Sequence, residues 1–110
     1  MKISLKDADH FEREGFTGDV YVATEAGRGF NALHVDCLTN HYKTLLKKAA
    51  RAYLVLEGSG SFTINGERHA VEPYDFFLLG DGDVYEYEGK MRLFEFNVPG
   101  TSSENEEKLD

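Results

Sequence analysis

The pair Asn65-Gly66 stands between two short strand-like runs, Ser61–Ile64 and Glu67–Val71. Asn-Gly is the strongest two-residue hairpin signal, because a type I′ turn needs positive φ at both central positions. The same punctuation recurs on either side: Gly58-Ser-Gly60 after Arg51–Glu57, Pro73-Tyr74-Asp75 before the apolar run Phe76–Leu79, and Gly80-Asp-Gly-Asp before Val84-Tyr-Glu-Tyr. Met91–Val98 follows, and Val20–Thr24 and Phe30–Thr39 precede. About eight short strands at near-regular spacing predict a closed barrel or sandwich rather than an open sheet. Helix signals are confined to one possible N-terminal turn within Leu5–Arg13, where Asp7 can cap and Phe11 can pack.

A chain of 110 residues fits a single domain. The expected division is one domain over residues 1–99 and a polar, acidic tail over 100–110 that is frayed or disordered. The formal net charge of -8, with no basic stripe, argues against nucleic acid. No run approaches the ~20 apolar residues of a membrane span, and the N-terminus lacks the apolar core of a signal peptide. A cytoplasmic protein is therefore expected. The single cysteine, Cys37, excludes an intramolecular disulfide or a thiolate cluster, and its apolar neighbourhood fits a buried, inert thiol.

The stretch Tyr53-Leu-Val-Leu-Glu-Gly-Ser-Gly-Ser-Phe-Thr-Ile-Asn-Gly-Glu resembles the central hairpin of cupins. Val71-Glu-Pro-Tyr-Asp-Phe-Phe-Leu-Leu-Gly-Asp-Gly-Asp-Val-Tyr is similar to the element that follows it there, and the resemblance spans about residues 41 to 99. It implies an all-β, double-stranded β-helix (jelly-roll) barrel, commonly a homodimer. It does not imply a function, because cupins include oxygenases, isomerases, epimerases, storage proteins and sensors.

Cupins usually hold a divalent metal with two histidines, a glutamate and a later histidine. On this alignment the glutamate position is Arg51 and the last histidine is Tyr85. The histidine pair falls on Leu45 and Lys47, or on Thr44 and Leu46. A fixed guanidinium charge repels a divalent cation, so the resemblance implies a member without the usual metal and without any other cofactor.

Alternation places Arg51, Tyr53 and Val55 on the interior face, Tyr85 and Tyr87 with them, and His41 too if its strand extends that far. One reading makes His41, Arg51, Tyr53, Tyr85 and Tyr87 a binding site for a small carboxylate, sugar or sugar phosphate. Another makes the tyrosines barrel filling and Arg51 a structural ion pair with Glu57 or Glu95. A third uses His41 and Tyr85 as the acid–base pair of a metal-independent, epimerase-like enzyme, and a fourth holds a metal with a non-standard set. His10, His34 and His69 are expected on the outside, and Asp81 and Asp83 read as turn residues rather than a calcium loop.

Overall fold

In the computed structural model, which describes residues 1–109, nine strands form one continuous antiparallel sheet that folds back on itself. They are β1 (Asp9–Arg13), β2 (Phe16–Val22), β3 (Asn31–Cys37), β4 (Asn40–Leu46), β5 (Ala50–Ile64), β6 (Glu67–Val71), β7 (Phe76–Leu79), β8 (Val84–Val98) and β9 (Glu106–Lys108). Short 3-10 turns at Leu5–Asp7, Thr24–Ala26 and Ser103–Asn105 are the only helical pieces among the described residues. The N-terminal turn is thus present but stops at Asp7, and the residues expected to continue it pair as β1 with β2.

Two long strands organise the whole. The sequence reads Gly58–Gly60 as a turn and Val84–Tyr87 and Met91–Val98 as separate strands, yet β5 and β8 run through both points unbroken and pair along nearly their whole length. What lies there is a corner. Gly58 and Gly89 have φ of +98° and +119°, and the opposing backbones nearly touch: a Cβ on Gly58 would sit 2.1 Å from the Lys90 carbonyl oxygen, and one on Gly89 2.4 Å from that of Ser59. Only glycine permits that conformation and that approach together. The register also shifts between Val55 and Glu57, a bulge that sharpens the bend.

Beyond the corner the sheet has two facing halves. One holds β1, β2, β3, the second half of β8, the first half of β5, and β7. The other holds β6, the second half of β5, the first half of β8, β4 and β9. Alternation then decides what the first half turns inward: Leu33, Val35 and Cys37 from β3, Tyr53 and Val55 from β5, Leu79 from β7, and Leu93 from β8. Burial of each aliphatic side chain contributes roughly 1.5–3 kcal/mol, so this layer dominates the stability of a domain with no cross-link.

Two expectations about strand ends are corrected. Phe30–Thr39 does not carry on to His41: β3 ends at Cys37, Leu38 and Thr39 turn against the carbonyl of Gly15, and β4 begins at Asn40. The tail, read as frayed or disordered, instead packs back. Asn105 is buried and bonds Lys47 in both directions, and Glu106–Lys108 pairs with Thr44–Leu46 as β9. Local composition in the tail is polar, but its backbone groups complete the open edge of β4, which composition does not reveal.

Candidate functional site

The interior between the two halves is polar at one end. Inward positions of β8 carry Tyr85, Tyr87, Glu95 and Asn97, those of β5 carry Arg51 and Tyr53, and β4 supplies His41. All five side chains singled out from the sequence, His41, Arg51, Tyr53, Tyr85 and Tyr87, are buried and lie in one cluster.

Arg51 is its hub, with 2% of its side chain exposed. Nε donates to Asn97 Oδ1 and lies 3.4 Å from Glu95 Oε2. One terminal nitrogen donates to the Tyr85 hydroxyl at 2.7 Å, and the other to Thr101 Oγ1 at 3.0 Å and to the Glu106 carboxylate. Asn97 passes its own amide hydrogen to Glu95 at 2.9 Å, and the Tyr53 and Tyr85 hydroxyls meet at 3.2 Å. Burial works against the guanidinium charge, but Glu95 first, then Tyr85, Tyr53 and Glu106, more than offset it, holding Arg51 protonated. Of the two ion-pair partners open on sequence grounds, Glu95 is the one used; Glu57 faces Arg92 at 3.7 Å.

His41 occupies a different environment. Its ring is sandwiched among Phe16, Tyr42, Tyr85 and Tyr87, with centroids 4.5, 4.5, 5.4 and 4.9 Å away. Burial lowers its pKa to about 4, so the imidazole is neutral near pH 7. Nδ1 lies 2.7 Å from the Tyr42 carbonyl oxygen, which can only accept, so Nδ1 carries the hydrogen and Nε2 keeps the lone pair. A bulge makes this possible. The pairing of β4 with β8 shifts between His41 and Thr44, so both side chains turn inward although an odd number of steps separates them.

The three tyrosines differ in what their hydroxyls do. Burial raises the pKa of each, that of Tyr85 to about 12, so all are neutral phenols. Tyr85 is committed to Arg51 and Tyr53, whereas the hydroxyl of Tyr87, fully buried, makes no hydrogen bond although Tyr53 is close enough to influence it. An orphaned buried hydroxyl costs about 1–3 kcal/mol, and of the three phenols Tyr87 is the one with hydrogen-bonding capacity to spare.

Sequence reasoning missed Asn97, Thr101 and Glu106. Asn97 was legible, being an inward position of the Met91–Val98 strand. Thr101 and Glu106 lie in the tail, where no periodicity marks them. Cys37 is buried, with its thiol pushed up to about 11 by burial, as an inert thiol should be. His10, His34 and His69 fall on outward phases: His10 bonds Asp19 and Glu12, and His34 is partly covered between Asp19 and Asp36. Asp81 and Asp83 accept backbone hydrogens of Lys48 and Gly80, the work of turn residues.

No protein-family model and no curated protein matches the sequence. Solved structures do. Pac13 from Streptomyces, seen with uridine and described as a nucleoside dehydratase, superimposes with a TM-score of 0.88 at 18% identity, over 99% of this chain and 90% of that one. Ectoine synthase from P. lautus gives 0.83 at 16% identity, over 100% and 90% of the two chains. The cupin domain of Schizosaccharomyces pombe Cnp3 gives 0.73 at 18%, over 87% and 72%. The chain has the cupin fold.

Within that cupin barrel the usual metal positions do not fit a metal. The position aligned with the glutamate is the Arg51 guanidinium, and the one aligned with the last histidine is Tyr85, whose hydroxyl accepts from that arginine. Of the candidate positions for the histidine pair, Thr44 and Leu46 point inward and carry no imidazole. Among the described residues no three His, Cys, Asp or Glu side chains converge as a ligand set.

Proposed function

We propose that this cupin takes a small, uncharged, hydroxyl-bearing molecule of nucleoside or sugar type into its barrel and performs metal-independent proton transfer on it. The observation that carries the reading is His41: a neutral imidazole in an aromatic cage, with Nδ1 fixed by the Tyr42 carbonyl and the Nε2 lone pair left free. Such a group is a permanently available proton acceptor, though its low pKa makes it a weak base. Tyr87 is the complementary donor. Its unpartnered hydroxyl can supply a hydrogen bond, and a proton, to an oxygen leaving the substrate.

This changes the partner expected from the sequence, where Tyr85 was paired with His41. The Tyr85 hydroxyl is engaged by Arg51 and Tyr53, so its role is to hold the wall. For the removal of water, the base takes a proton from carbon, the C–O bond breaks, and the departing hydroxide leaves as water with the tyrosine proton. Acid and base then exchange states through solvent.

The Pac13 structures with uridine support the assignment. They include one in which a histidine is replaced by glutamine and two in which a tyrosine is replaced by phenylalanine. Those positions lie one to two places later in that chain than His41, Tyr53 and Tyr87 do here, with the two tyrosines equally far apart in both.

The reading requires a route inward, and we assign it to the side of Tyr42, whose ring lies against His41. A cleft of about 170 Å³ bounded by Glu14, Asn40, Tyr42 and Lys108 opens there, and rotation of Tyr42 is the gate this reading requires. The expected homodimer has a surface to match. The outward phases of β7, β5 and β8 align Leu78 with Ala52 and Phe96, and Phe76 with Leu54 and Phe94; Phe76 and Leu78 are 61% and 68% exposed.

The test is titration with uridine and a panel of neutral sugars, by calorimetry, for the wild type and for His41→Gln, Tyr53→Phe and Tyr87→Phe. Saturable binding that weakens at least about tenfold in Tyr87→Phe is expected. Absence of binding by every nucleoside and sugar, or binding indifferent to all three substitutions, rejects the proposal.

A further inference from the structure

Glu106, from the C-terminal strand, faces Arg51 inside the barrel although its own backbone belongs to the outermost strand of the sheet. Its side chain is 38% exposed, against 2% for Arg51 and 10% for Glu95. Glu106 therefore stands where solvent, or a ligand, would approach the guanidinium. Of the groups on Arg51, Glu95, Asn97 and Tyr85 come from the wall behind it, and Thr101 and Glu106 from the tail.

A lone buried arginine attracts carboxylates and phosphates, because its planar fork binds them in pairs. This arginine is already matched by two carboxylates, so the polar end of the barrel offers an anion no unpaired cation and two like charges. We infer that Glu106 is a specificity-determining residue: it occupies the anion position of Arg51 and thereby restricts the barrel to neutral ligands, excluding their phosphorylated or carboxylated counterparts. The inference deepens the proposed function by naming the ligand's charge class, and its first test is independent of any nucleoside.

Removing Glu106 leaves the solvent-facing side of the guanidinium open, and a small anion can then fill it. The first measurement is the melting temperature of the wild type, Glu106→Gln, Glu106→Ala and the control Glu107→Gln, with and without inorganic phosphate at constant ionic strength. Glu107 lies on the same strand, is exposed and faces Lys47 at 3.6 Å instead. The wild type and Glu107→Gln are expected to be indifferent to phosphate. Glu106→Ala is expected to rise by about 5 °C at a few times the dissociation constant, because the ligand binds only the folded state. Glu106→Gln, which keeps the shape without the charge, is expected to respond in the same direction.

The second measurement titrates uridine and uridine 5′-monophosphate into the same proteins. The wild type is expected to prefer uridine by at least about tenfold, and Glu106→Gln to narrow or invert that preference. If Glu106 variants lose stability but gain no response to phosphate, the residue is structural only and the inference is overturned. If phosphate binds the variants while uridine binds none of the proteins, Glu106 guards Arg51 as stated and the nucleoside reading is what fails.

Discussion

Acidification offers a direct measurement of how His41 is held. In the unfolded chain a histidine titrates near 6.5; in the folded protein burial lowers His41 to about 4. Between those values the unfolded state binds a proton that the folded state refuses, so stability falls as pH falls. At pH 5.5 the loss relative to neutral pH is about 1.4 kcal/mol and at pH 4.5 about 2.5 kcal/mol, approaching about 3 kcal/mol below the folded value. Against a typical stability of about 5–15 kcal/mol this is a large share. The assay is urea unfolding followed by far-UV circular dichroism at pH 7.5, 5.5 and 4.5, for the wild type and for His41→Gln and His41→Phe. Carboxylates add their own acid sensitivity, and His10 acts in the opposite sense: its hydrogen bonds to Asp19 and Glu12 raise its pKa, so it adds stability below its unfolded value that is lost as pH rises through the folded one. Both effects are common to all three proteins and cancel in the difference. The wild type should lose about 2.5 kcal/mol more than either variant between pH 7.5 and 4.5. Equal losses, within about 0.5 kcal/mol, would show that His41 is not held neutral by burial and would remove the free base from the mechanism.

Tyr87→Phe removes an unsatisfied buried hydroxyl, so urea unfolding should show stability unchanged or raised by about 1 kcal/mol, even as uridine binding weakens. Tyr85→Phe should instead lower stability by about 1.5–3 kcal/mol in the same assay, because it deprives a charged donor of its acceptor. Arg51→Met strands the buried Glu95 carboxylate and should cost about 3–5 kcal/mol, seen as a lower unfolding midpoint. Elemental analysis of protein purified without an affinity tag should find less than about 0.1 equivalent of any transition metal; near-stoichiometric iron, zinc, manganese or nickel would overturn the metal-free proposal. Sedimentation should give a dimer for the wild type and a monomer for Phe76→Lys or Leu78→Lys, since either places a charge in the apolar face.

Much of the cupin barrel was legible because its information is local. Asn65-Gly66 and the alternation in Arg51–Val55 and Val84–Tyr87 each describe a few neighbouring residues, and side-chain period 2 assigns Arg51, Tyr53, Tyr85 and Tyr87 to one face without further knowledge. The same rule reads the departure from the usual metal ligands, because it needs only identity at aligned positions. His41 came out inward for an incomplete reason: simple alternation from β3 points it inward, but the actual device is a new strand with a bulge.

What the tertiary structure alone decided concerns groups that meet from distant parts of the chain. Gly58 and Gly60 look like a turn in sequence, and only the pairing of β5 with β8 makes them, with Gly89, a corner in two continuous strands. The tyrosines are chemically equal in the sequence, yet Arg51 satisfies Tyr85 and leaves Tyr87 without a partner. The acidic tail has the composition of a solvated segment, but β4 presents an unpaired edge and Arg51 a charge, and Glu106 answers both. Sequence determines which side chains face the interior, because that depends on short-range geometry. Which of them remain free for chemistry depends on partners up to half the chain away, and only the folded arrangement supplies those.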